Sequence, residues 1–139
     1  MKKQLSNKDF KEINDQLKQH YHLHDFFDKN DQLFEEHNKD QRCLIKNNEV
    51  IFFFQQRWIP TLKFLLKNNM LKTIEVDQGA IKFIINGADI MRPGITAIDQ
   101  AINKDEVIAV VDAIHKKPLA VGIALFSGEE MQKAIKGKV

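Results

Sequence analysis

His20, His22 and His24 stand two residues apart, a spacing that puts all three on one face of an extended segment, or His20 and His24 on one face of a helix. Imidazoles so placed could hold zinc, but structural zinc takes four protein ligands, and neither a nearby Cys nor a second cluster supplies the others. The cluster reads as an exposed helix-to-loop segment, and no metal or other cofactor is expected. The one cysteine, Cys43, has no His in its own segment to activate it, and reads as a small buried hydrophobe. Asp77 and Asp89 could move protons, yet each has a structural position on offer, at a helix cap and at the start of a strand. No phosphate-binding loop, nucleophile elbow or zinc-hydrolase helix occurs. Catalytic constellations are thin.

The most strongly patterned stretch is Val76–Ile95, VDQGAIKFIINGADIMRPGI. Asp77 is a strong N-cap, and Val76 with Ile81 form a hydrophobic staple around it. Ala80, Ile81, Ile84 and Ile85 then share a helical face, which leaves Lys82 pointing outward. Asn86-Gly87 ends this short helix with a left-handed residue. Ala88–Met91 reads as a strand, closed by Arg92-Pro93-Gly94. Thr73–Val76 is a strand before it, and Glu106–Asp112 an almost wholly apolar strand after it. His115-Lys116-Lys117-Pro118 makes a basic hairpin tip. Leu119, Val121, Ile123 and Leu125 alternate with Ala120, Gly122 and Ala124, as suits a tightly curved small barrel. Ser127 and Glu130 form a capping box, with Phe126 and Met131 as staple, for a helix that buries Met131, Ala134 and Ile135 and ends near Lys136-Gly137.

Upstream, Ser6-Asn7-Lys8-Asp9 is a loose capping box that opens an amphipathic helix over residues 7–19, with Phe10, Ile13 and Leu17 on one face. Gln32–His37, Arg42–Lys46 and Glu49–Gln55 are strands, the last two joined by Asn47-Asn48. Phe52-Phe53-Phe54 lacks interleaved Arg or Lys and reads as buried strand rather than as a base-stacking platform. A helix beginning at Trp58 buries Ile59, Leu62, Leu65 and Leu66 and stops at Asn68-Asn69. The boundary falls near Leu71–Lys72, giving a leading α+β domain over residues 1–71 and a second domain over 72–139.

Asp77-Gln78-Gly79-Ala80, Asn86-Gly87-Ala88-Asp89 and Met91-Arg92-Pro93-Gly94-Ile95 together resemble the signature of the PUA domain. Leu5–Leu17 and Trp58–Leu66 resemble the leading domain of archaeal stand-alone PUA proteins, relatives of the eukaryotic malignant T-cell-amplified sequence protein and of ligatin. The resemblance implies an α+β chain whose second half is a PUA-like β-pseudobarrel with short helices. It also implies a final strand, where this sequence has only Lys138-Val139. The implied function is binding of RNA, tRNA or ribosomal RNA, in ribosome-associated initiation or recycling, with the small ribosomal subunit and a density-regulated-like protein as partners. The implied contacts are Gly79, Lys82, Asn86, Gly87, Asp89 and Arg92, joined by Lys116 and Lys117 of the basic tip. Gly79 and Gly87 would let a sugar-phosphate backbone reach main-chain N–H groups, Lys82 would neutralise phosphate, and Arg92 would fork onto phosphate or stack on a base. PUA-bearing RNA-modifying enzymes keep their active sites in separate larger domains, for which residues 1–71 have no room, so the chain reads as a non-enzyme. Two other readings stay open: a protein–protein adaptor, and an RNA-binding subunit acting in trans for a modifying enzyme.

Composition is neutral on the matter. The 139 residues carry a net charge of +2. Residues 72–139 hold nine Lys/Arg and nine Asp/Glu, against twelve and ten in residues 1–71, so any phosphate-binding patch must come from placement. No apolar run approaches a membrane span, and Lys2-Lys3 are not followed by the apolar core of a secretory signal. A lone cysteine forms no internal disulfide, so a cytoplasmic protein is expected.

Overall fold

The computed structural model describes residues 2–28, 30–38 and 40–139. The chain forms two compact units, one ending at Asn68 and one spanning Asn69–Val139.

The first unit contains β1 (Lys2–Gln4), α1 (Asn7–Tyr21), β2 (Leu33–His37), β3 (Arg42–Lys46), β4 (Glu49–Phe54), β5 (Trp58–Pro60) and α2 (Leu62–Lys67). Its strands form one antiparallel sheet in chain order. The Ser6 Oγ accepts from the Asp9 N–H at 3.2 Å while Asp9 Oδ2 accepts from the Ser6 N–H at 3.0 Å, the reciprocal cap the sequence announces. Ile13 and Leu17 are the buried positions of α1. Asn47 and Asn48 adopt φ of 53° and 62°, the doubly left-handed turn that matches strand twist in a tight hairpin. Phe52 is wholly buried and meets the rings of Phe26, Phe27 and Phe64, whereas Phe53 and Phe54 are half-buried. Asn14 holds the loop after α1, donating to the Phe27 carbonyl at 2.8 Å and accepting from the Phe27 N–H at 3.0 Å.

Several expectations change in this unit: Leu62 and Leu66, read as part of a buried stripe, are exposed. β1, a polar three-residue strand, lacks the alternation that would reveal it. The helix expected from Trp58 starts four residues later, because Trp58–Pro60 pairs with β4 as an edge strand, where the missing N–H of Pro60 is harmless. Thr61 then caps α2 by accepting from the Phe64 N–H at 3.2 Å. His20 lies in the last turn of α1 and His22 is its left-handed C-cap. Among the described residues, no three His, Cys, Asp or Glu side chains gather where one metal ion could sit.

The second unit contains β6 (Thr73–Val76), α3 (Gln78–Ile85), a 3-10 turn (Arg92–Gly94), β7 (Ile95–Ile98), β8 (Val107–Asp112), β9 (Pro118–Ile123) and α4 (Gly128–Lys133). The sheet order is β7-β6-β8-β9, with β6 and β8 parallel and the other pairs antiparallel. β8 is buried at every position, which is why its sequence reads as a continuous apolar run. Ile74, Val76, Ile84, Ile95, Val110 and Met131 are central to the core. Gly128 packs tightly on the segment before β8: a Cβ there would lie 2.4 Å from the Asp99 carbonyl oxygen.

The expected strand Ala88–Met91 is reduced to one bridge, Met91 with Lys138. Around it the Val139 N–H donates to the Ile90 carbonyl at 3.0 Å, the Arg92 N–H to Gly137 at 2.8 Å and the Leu125 N–H to Val139 at 2.9 Å. Gly137–Val139 therefore stitch the segment after α3 to the end of β9 where a full strand was expected. α4 stops at Lys133, so Ile135 is 88% exposed instead of buried. At the end of β9 and just past it, Ala124 is buried while Ile123 and Leu125 are exposed.

Candidate nucleic-acid interface

The site is built on α3. Asp77 Oδ1 accepts from the Ala80 N–H at 2.9 Å and fixes the helix start, and Val76 is fully buried beneath it. Only Ile84 of the helix is fully inside; Ile81 is half-buried and Ile85 is 65% exposed, so the apolar stripe is one residue shorter than its spacing suggests. Asn86 caps the other end, and Gly87 follows at φ +87°, a conformation that suits glycine.

Gly79, Lys82, Phe83 and Asn86 are all exposed and spaced three or four apart, so they form one outward stripe. Among the described residues, the Lys82 ammonium has no ion-pair partner. The two glycines differ. Gly87 needs its positive φ, whereas a Cβ on Gly79 would meet nothing nearer than its capping neighbour Asp77 at an ordinary 3.5 Å. The fold would accept alanine at 79.

The 112–117 turn sits at the end of β6 from which α3 departs, since the Ala113 N–H donates to the Val76 carbonyl at 3.0 Å. Asp112 is buried and accepts from the main-chain N–H groups of Ile114, His115 and Lys117. The His115 N–H chiefly holds its carboxyl below the ordinary range, against an opposing contribution from burial. This carboxylate shapes the basic tip and brings Lys117 into the open. Lys116, left-handed at φ 58°, pairs with Glu75 at 2.5 Å and so offers less free charge than its type implies.

Arg92 departs furthest from expectation. Its Nε donates to the Met131 carbonyl at 2.7 Å and its Nη1 to the Ile95 carbonyl at 3.2 Å, and the side chain is partly buried. The guanidinium ties the 3-10 turn to the end of α4 and the start of β7, which removes the fork from ready use on phosphate. Asp89 is exposed beside Lys138, with 3.6 Å between their charged atoms. Phe83 and Met91, both open to solvent, are the residues that sequence reasoning passed over. A phenylalanine out of phase with the isoleucine stripe of a short helix was the signal available.

Comparison with known proteins agrees with this architecture. The PUA domain matches residues 72–139 and a domain of unknown function, DUF1947, matches residues 2–68. An uncharacterized protein of Methanocaldococcus jannaschii is 42% identical over 143 residues, covering 96% of this chain and 85% of that protein. Translation machinery-associated protein 20 of Eremothecium gossypii is 40% identical over 98 residues, covering 65% of this chain and 54% of its own length. Malignant T-cell-amplified sequence 1 of Rattus norvegicus is 36% identical over 100 residues, covering 68% and 55%. The chain thus spans about half the length of these eukaryotic relatives. The crystal structure of a hypothetical protein from Pyrococcus horikoshii superposes with a TM-score of 0.84 at 32% identity, covering 99% of this chain and 90% of that one. With an archaeal relative matched along nearly its whole length and the PUA domain spanning the second unit, this chain belongs to the PUA domain proteins.

Proposed function

We propose that the protein binds RNA through the second unit, that the RNA is tRNA or ribosomal RNA, and that it acts in translation on the small ribosomal subunit. The observation that carries this reading is the exposed α3 stripe. It combines an unpaired cation, Lys82, with a glycine at 79 that the backbone does not require, so the main chain is open to close approach where the fold would favour alanine. Asp77 already occupies the helix start with a carboxylate, which disfavours phosphate there. Phosphates are therefore held by Lys82 and Lys117, while Gly79, Asn86 and Gly87 meet sugar or base edges. Asp89 serves as an acceptor. Arg92 acts by holding the turn, and Lys116 contributes once released from Glu75. The name of the Eremothecium relative supports the placement in translation.

Equilibrium binding of structured RNA over a salt series tests the reading. Lys82→Glu should weaken binding by tenfold or more and reduce the salt slope by about one phosphate contact. Its thermal midpoint should hardly move, because exposed positions of this kind stay within about 0.5 kcal/mol. Unchanged affinity would remove α3 as the interface.

A second reading, a protein adaptor, is favoured by the first unit. Leu62 and Leu66, one turn apart on α2, and Val50 on the strand that α2 packs against are 39%, 59% and 41% exposed. A density-regulated-like partner is the occupant this reading names.

A further inference from the structure

From Val50 to Ile74 the chain carries Arg57, Lys63, Lys67 and Lys72 and not one Asp or Glu. α2 lies within this acid-free run, with Leu65 as its buried residue. Its outer side presents two parallel rows, because helical residues four apart stand one turn above another. Leu62 and Leu66 form one row, Lys63 and Lys67 the next, and all four are exposed. Val50 extends the apolar surface onto β4, tied to the helix start by the Thr61 Oγ1, which donates to the Val50 carbonyl at 3.0 Å. Lys63 reaches Glu49 at 3.3 Å, but both side chains are open to water, where such a pair contributes little and exchanges partners readily. Lys67 has no ion-pair partner among the described residues.

We propose that this face docks an acidic amphipathic helix of a partner protein, which lays an apolar row on Leu62, Leu66 and Val50 and sets carboxylates against Lys63 and Lys67. The proposal deepens the adaptor reading of the first unit, naming the chemistry of the partner, and is independent of RNA binding. The rows suit another helix, since ridges of residues four apart interdigitate between packed helices. Amphipathic helices dock in this way, by apolar anchors at helical spacing. Charge then selects among occupants. A second copy of this chain would bring the lysine rows against each other, and like charges across an interface oppose association. An anionic membrane would meet Glu49 in the same patch and gain little from three aliphatic side chains. The face is small, so the contact belongs to the transient class of interfaces, below about 1,200 Å².

The test uses a synthetic helical peptide with a leucine row flanked by glutamates, compared with the same peptide carrying lysines in place of the glutamates. Affinity for the full chain is read by fluorescence anisotropy, and the contact is mapped by amide chemical shifts. The wild type should bind the glutamate peptide about tenfold more tightly, the scale of two exposed charge pairs turned from attraction to repulsion. The shifts should centre on Val50, Leu62 and Leu66. Leu66→Ser should lose most of the affinity, and Lys63→Glu with Lys67→Glu should reverse the preference between the peptides. These side chains are exposed, so the variants should melt with the wild type. Equal affinity for the two peptides, or shifts away from α2, overturns the proposal. So does a dimer in sedimentation that Leu66→Ser dissolves, which gives the face to a second copy, or binding to phosphatidylserine vesicles that Leu66→Ser abolishes, which gives it to a membrane. A photocrosslinking residue placed in cells at Leu66, and separately at exposed Lys11 on α1, keeps the adaptor reading apart. Protein adducts from Lys11 but none from Leu66 overturn this site and leave that reading standing; none from either position removes both.

Discussion

Arg92 and Lys82 illustrate how one residue type can serve opposite ends. Both are cations beside α3, and both look from sequence like phosphate contacts. The structure separates them by what surrounds each: two main-chain carbonyls hold the Arg92 fork, while Lys82 faces solvent. Hydrogen bonds from charged donors contribute about 1.5–3 kcal/mol each in protein interiors. Arg92→Ala should therefore lower the thermal midpoint by several degrees, seen in calorimetry, whereas Lys82→Glu should not. Gly79 is the converse case. Gly79→Ala should hold or raise the midpoint, gaining up to about 1 kcal/mol of helix stability, while RNA binding weakens several-fold. A fall in stability would mean that the fold, not the ligand, needs that glycine. The sequence marked Gly87 as the left-handed residue that ends α3, but it held no sign that Gly79 is dispensable to the backbone, which depends on what a Cβ there would meet.

Elements with a local chemical signature were legible. Ser6, Asp77 and Ser127 cap α1, α3 and α4 as their side chains imply, and Asn47-Asn48 turns the hairpin between β3 and β4. Features decided by distant partners were not. Trp58–Pro60 became a strand because β4 offered an edge, and Ala88–Met91 failed to become one because only Gly137–Val139 pair with it. The end of α4 was misread because Ile135, apolar and in phase, lies past the last helical turn. The 112–117 turn adds a prediction at this scale. Asp112 has a folded pKa below its unfolded value near 3.9, so its contribution is full above about pH 4 and is lost as pH falls through the depressed value. Asp9, held low chiefly by the Ser6 main chain, behaves in the same sense. Asp112→Asn should therefore melt below the wild type at neutral pH and show a smaller further decline on acidification. Parallel decline of the two proteins would show that the turn does not depend on this carboxylate.

At the scale of the molecule, charge alone carries little information. The second unit holds equal numbers of acidic and basic residues, yet its cations differ widely in availability: Lys72 and Lys116 pair with Glu106 and Glu75, Arg92 serves the backbone, and Lys82 and Lys117 remain open. Under the proposed function, that distribution is how a neutral unit would present a phosphate-binding face. It also explains why the family resemblance, carried by caps and glycines, was more informative about function than composition. No described helix is long and apolar enough to cross a membrane. The proposed division of labour between the units, RNA on the second and a protein partner on the first, is directly testable by ultraviolet crosslinking of the protein to RNA in cells, followed by identification of the nucleotide-bearing peptides. Adducts concentrated in residues 78–92, with Phe83 among the modified positions, are the predicted result. Adducts confined to residues 2–68 would contradict the account.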